Sequence, residues 1–183
     1  MTCDWPVHKT DSADSLLATY KSYAQVTDIV GPEGSTQKGV VIYGNDPRHR
    51  VEVIFFDEAM TQVSTVVVRG DSQWSGAKGL HLGSTLADIT AANEKPFKVN
   101  GFGWDYGGYV VDLNHGRLAK PKGGCVFGLR LGLTENYTAP DSISGERTLV
   151  STDPALVAAA PVVQEMTVSW PKPHTNEQED DTE

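Results

Sequence analysis

Residues 39–69 read GVVIYGNDPRHRVEVIFFDEAMTQVSTVVVR. Three runs within this stretch, 39–43, 50–56 and 63–69, are rich in Val, Ile and Phe, the side chains that suit a pleated, half-buried surface. Gly44-Asn45-Asp46-Pro47 and Asp57-Glu58-Ala59 separate them with turn chemistry. Strands this close in sequence must be antiparallel, because a parallel crossover needs about a dozen residues or more. The stretch therefore predicts an antiparallel meander.

Upstream, Asp11 or Ser12 caps a helix carrying Leu16, Leu17, Tyr20 and Tyr23 at helical spacing and ending near Ala24. Downstream the plan recurs. Thr85 with Asp88 forms a capping-box pair, Leu86, Ile89 and Ala92 make the buried stripe, and Asn93 serves as the left-handed C-cap before Pro96. Strands are expected at 97–99, 109–113, 117–119 and 125–133. In the last, Cys125, Phe127, Leu129, Leu131 and Leu133 face one way and Val126, Gly128, Arg130 and Gly132 the other. Asp153 and Pro154 open a short helix that Pro161 ends, and a final strand at 166–170 pairs with a sheet edge. The fold class is α+β: an antiparallel sheet with helices packed on one face, built as two helix-plus-meander pseudo-repeats at about 12–70 and 79–133. A flexible segment (1–11) precedes this single domain (12–170), and a disordered acidic tail (171–183) follows it.

The chain has 183 residues, enough for one core, and a net charge of −9. An acidic chain without a basic stripe is unsuited to nucleic acid. Nor does any apolar run reach the roughly 18 residues of a membrane span. The tail, PKPHTNEQEDDTE, has five acids, one lysine and no apolar side chain, a composition that stays solvated. No hydrophobic export leader is visible in MTCDWPVHKTDSAD, so the chain is either cytoplasmic or a mature portion behind a start Met.

The densest segment is Gly101-Phe102-Gly103-Trp104-Asp105-Tyr106-Gly107-Gly108-Tyr109. As a binding loop it would offer Trp104, Tyr106 and Tyr109 as a platform for a sugar or another flat ligand, with Asp105 fixing orientation and Trp74 as an added contact. Gly101, Gly103, Gly107 and Gly108 would shape the backbone. The alternative is architectural: a bulged turn whose aromatics plug the core and whose Asp105 caps backbone N–H groups.

This run, preceded by Trp74, GLHLGSTL at 79–86 and Lys95-Pro96-Phe97, and followed by Gly116-Arg117-Leu118 and Gly124-Cys125, resembles a family of uncharacterised bacterial proteins with a GFGWDYGG hallmark. The likeness covers about residues 13–170. Members mostly carry export signals, so the resemblance implies a periplasmic or secreted envelope protein; it supplies no catalytic residues, since no activity is established for the family.

Other chemistry is sparse. The five histidines share no ligand spacing, and neither a metal nor a cofactor motif is present. Asp105 or Asp112 with His115 could form an acid/base pair, although Asn114-His115-Gly116 is also ordinary turn chemistry. Three states are open to the two cysteines: a lipid anchor on Cys3, a Cys3–Cys125 disulfide, or two thiols. The expected function is a non-enzymatic binding protein of the envelope, with an unknown protein, small-molecule or carbohydrate ligand. The alternatives are a hydrolase using His115 and a structural lipoprotein anchored through Cys3.

Overall fold

Capping chemistry sets the helix starts. In the computed structural model, which describes residues 1–172, Ser12 and Ser15 form a reciprocal box that opens α1 (Ala13–Tyr20). Thr85 and Asp88 do the same for α2 (Leu86–Asn93), and the Asp153 carboxylate accepts from Ala155 and Leu156 to open α3 (Pro154–Ala159). The left-handed C-cap of α2 falls on Glu94 rather than Asn93. Asn93 is fully buried instead, its amide donating to the carbonyls of Lys95 and Leu113 and accepting from the Leu118 N–H.

The meander is present and gains a strand. β1 (Ala24–Val30) pairs with β2 (Thr36–Ile42), β2 with β3 (Val51–Phe55) and β3 with β4 (Val63–Arg69), all antiparallel. Two corrections concern the second half. β5 (Lys98–Asn100) pairs with β6 (Val110–Asp112) on one side and with β8 (Thr148–Val150) on the other in a separate three-stranded sheet, and residues 117–119 form a 3-10 turn, not a strand. β7 (Val126–Gly132) joins the large sheet through β9 (Val162–Ser169), giving the order β1-β2-β3-β4-β9-β7. The two halves thus differ in architecture and do not repeat one another. β9 is also longer than expected and sits inside the sheet, leaving β7 at the edge.

One face of the six-stranded sheet builds the core. Val51, Val53 and Phe55, Val66 and Val68, and Phe127, Leu129 and Leu131 alternate inward, joined by Leu16 of α1, Ile89 of α2 and Leu156 of α3. The small sheet adds Val99 and Leu149 to the same cluster. Ile29, Val41 and Val67 are also buried but lie outside it, on the opposite face, where Val41 pairs with Glu52 and Glu52 with Val67.

The N-terminal segment is not the free arm expected of residues 1–11. Met1, Cys3 and Val7 are buried in the core, Tyr20 donates its hydroxyl to the Pro6 carbonyl at 2.7 Å, and Cys3 forms a disulfide with Cys125. A covalent tie at Cys3 and the buried side chains of Met1 and Val7 hold a segment whose average composition is polar. Of the three states open to the two cysteines, the structure holds the disulfide. Most of the acidic tail, from residue 173 onward, lies outside the described residues.

Candidate functional site

The glycine- and aromatic-rich loop between β5 and β6 is pinned at both ends. Gly101 N–H donates to Arg147 O and Phe102 N–H to Ile143 O, each at 2.8 Å, while the Phe102 ring enters the core. At the other end Gly108 donates to Asn100 O at 3.1 Å and accepts from the Leu131 N–H of β7 at 2.7 Å. Gly108 has φ +78°, and a Cβ there would lie 1.9 Å from the Leu131 carbonyl oxygen. Only glycine allows that approach.

Within these anchors the aromatics divide. Phe102 plugs the core, whereas Trp104 is half-buried and Tyr106 is 42% exposed. Their ring centroids are 5.5 Å apart, tilted at 60°. Indole Nε1 of Trp104 donates to Gly101 O at 2.9 Å, fixing the ring without placing it inside. Asp105 is exposed, and among the described residues its carboxylate accepts no hydrogen bond, so it is not a backbone cap.

A row of charges runs beside the loop on the outward face of the large sheet. Register places Arg69 of β4 opposite Glu165 of β9, and Glu165 opposite Arg130 of β7. Arg69 Nη2 donates to Glu52 Oε2 at 2.5 Å, and its Nη1 lies 3.8 Å from Glu165 Oε2. Arg50 donates to the other Glu52 oxygen from Nη2 at 3.0 Å. The Glu52 side chain is only 6% exposed, and its two guanidinium partners offset the cost of burying that charge. Tyr109 completes the row: the Arg130 guanidinium carbon sits 4.8 Å from its ring centroid, and its hydroxyl donates to Glu165 Oε1 at 3.4 Å.

Burial pushes the Glu165 carboxyl above the usual range, against the pull of Arg69 and Arg130. The Tyr109 phenol is raised as well, by burial and then by the charge of Glu165. Loop and row together wall an open groove of roughly 1170 Å³, to which Trp104, Arg69, Asp71, Arg130, Gln164 and Glu165 contribute.

No protein-family model, curated protein or solved structure matches this chain. The functional reading therefore rests on its own residues.

Of the residues singled out in the sequence, Trp104 lines the groove, Tyr106 packs against the Trp104 ring, and Asp105, between them in sequence, is exposed; Tyr109 joins the charge row. Trp74 is not with them. It lines a separate recess with Tyr23, Tyr43 and His49, donating from Nε1 to His49 O at 2.9 Å. Asp112 accepts from the Asn114 N–H at 2.7 Å and is held by Lys98 at 3.1 Å, which in that order lower its pKa. His115 is exposed in the following turn, and neither residue lines the groove. Among the described residues, no three His, Cys, Asp or Glu side chains cluster to hold a metal, and no helix is long and apolar enough to cross a membrane.

Arg69, Glu52, Arg130 and Glu165 went unnoticed as site residues. The signal available was a charge at an outward position of an otherwise apolar strand, as with Glu52 in RVEVIFF and Arg130 in CVFGLRLGL.

Proposed function

We propose that this chain is a non-enzymatic binding protein of an extracytoplasmic compartment, and that its ligand lies in the groove beside Trp104 and Tyr106. The observation carrying this reading is the partly exposed aromatic pair, held by backbone hydrogen bonds at the rim of a groove with polar walls. Large rigid rings already in place contact a ligand at low ordering cost, and the planar Arg69 and Gln164 groups offer directional hydrogen bonds to hydroxyl or carboxylate oxygens. A carbohydrate or a polar face of another protein fits these walls. The Cys3–Cys125 bridge supports an oxidising compartment, since structural disulfides are rare in the reducing cytosol.

The test is retention of glycans and envelope proteins on immobilised wild type beside Trp104→Ala and Tyr106→Ala. The proposal expects a ligand held by wild type and lost from both variants, with all three melting within a few degrees. Identical capture by all three would overturn it.

A further inference from the structure

A second recess, of roughly 530 Å³, opens beside the disulfide, away from the aromatic loop. Its wall is apolar. Phe127 and Val168 are cross-strand partners on β7 and β9, Leu118 comes from the 3-10 turn, and the Cys3–Cys125 sulfurs close one side. Its rim is basic: Lys78, Arg117, Lys120 and Lys122 all line it, against Asp4 as the sole lining carboxylate. Arg117 is paired with Glu94 at 3.2 Å, whereas the three lysines have no ion-pair partner among the described residues. Four of the chain's 15 basic residues thus surround one apolar recess in a molecule of net charge −9.

Unpaired cations around a dry wall complement a molecule with one anionic end and one apolar end. A small hydrophilic anion would leave the wall unused, and a neutral hydrocarbon would leave the lysines unmatched. We propose that this recess binds a single-chain anionic amphiphile of the fatty-acid class, its chain along Leu118, Phe127 and Val168 and its headgroup among Lys78, Lys120 and Lys122. The volume lies within the range of small-molecule sites, about 300–1,000 Å³.

The experiment is calorimetric titration of the full chain with alkyl carboxylates of increasing length, each below its micellar concentration. Affinity is expected to rise roughly fourfold per added methylene, equivalent to about 0.8 kcal/mol, until the recess is filled. Dodecanol, dodecyl maltoside, acetate and a penta-glutamate peptide are the controls and are expected to bind at least tenfold more weakly than dodecanoate. The triple variant Lys78→Glu/Lys120→Glu/Lys122→Glu, altered only at exposed positions, is expected to lose about tenfold or more for dodecanoate. Trp104→Ala is expected to bind dodecanoate as wild type does, which separates this site from the groove. Equal affinity for dodecanol and dodecanoate, or an unchanged triple variant, would overturn the proposal. Penta-glutamate binding as tightly as dodecanoate would also overturn it, making the rim a contact for acidic protein segments.

Discussion

The Nε–H of Arg130 donates to the carbonyl oxygen of Gly107 at 3.0 Å, joining the edge strand of the large sheet to the aromatic loop. Nη2 of the same side chain donates to Asp105 O at 3.1 Å, so one fork holds two carbonyls of the loop. Glu165 lies opposite it on β9. Arg130 therefore positions the loop that carries Trp104 and Tyr106.

Arg130→Ala should cost about 2–3 kcal/mol, because it removes two charge-assisted hydrogen bonds and a cation facing Glu165. Arg130→Lys should recover only part of this, since an ammonium cannot reach two carbonyls with a planar fork. Urea unfolding gives the energies, and amide exchange at Gly107 and Leu131 reports the loop. Losses under about 0.5 kcal/mol with unchanged exchange would show that Gly108 alone fixes it.

Much of this architecture is legible in local sequence, and the charge row shows where local reading stops. Ser12, Thr85 and Asp153 mark helix starts because a cap is a matter of three or four consecutive residues. Alternation in 125–133 separates the inward from the outward side chains correctly. β1 was unread because Gln25, Thr27 and Asp28 interrupt its apolar pattern, as befits a sheet edge with solvent beside it. The row of Arg69, Glu165 and Arg130 depends on β9 entering between β4 and β7, a long-range pairing that no window of sequence contains. Trp74 and Trp104 stand in separate recesses for the same reason: being aromatic does not determine which loop a side chain will meet.

Glycine substitutions should separate strain from collision. Gly103 has φ +85° with no atom within 4 Å of an added Cβ, so Gly103→Ala should cost about 1 kcal/mol. At Gly108 the same change adds contact with the Leu131 carbonyl to an unfavourable φ, and should cost about 3 kcal/mol or more by displacing β7 from the loop. Thermal unfolding of the two variants, side by side, tests the ordering. Equal costs would mean the loop yields at Gly108.

The titration of Glu165 should appear in the pH dependence of stability. Its carboxyl is raised in the folded protein above the ordinary value of 4.5, so the native state holds that proton more tightly than the unfolded chain. Stability from this group is full below about pH 4.5 and is lost as the pH climbs through the raised value. Glu165→Gln stays neutral and keeps an acceptor for the Tyr109 hydroxyl. Its melting temperature relative to wild type should therefore increase across that window, measured at matched ionic strength. A constant difference would show that Arg69 and Arg130 compensate the burial fully.

The disulfide closes a loop with a sequence separation of 122 residues. In the chain-entropy view a bridge of that span restricts the unfolded ensemble by about 4–5 kcal/mol, and removing native bridges from small domains costs about 2–5. Cys3→Ser/Cys125→Ser should lower the unfolding free energy within that range, and reductant should do the same to wild type. Coincident urea midpoints with and without reductant would refute this and leave the buried Met1 and Val7 as the main restraints on the N-terminal segment.

Because β9 supplies the partner of β4 on one side and of β7 on the other, the order in which the chain is made matters to how it can fold. While residues up to Arg69 are being synthesised, β1 to β4 can assemble by neighbouring turns, but β4 keeps an open row of backbone donors and acceptors until Ser169 exists. β7, made some thirty residues before its only strand partner in the large sheet, must wait as well. A nascent chain held at the ribosome or passing through a membrane channel thus carries one unsatisfied strand edge from Arg69 onward and a second from Gly132 until β9 is made. A single late segment quenches both, so truncation within β9 exposes surfaces suited to association with other chains.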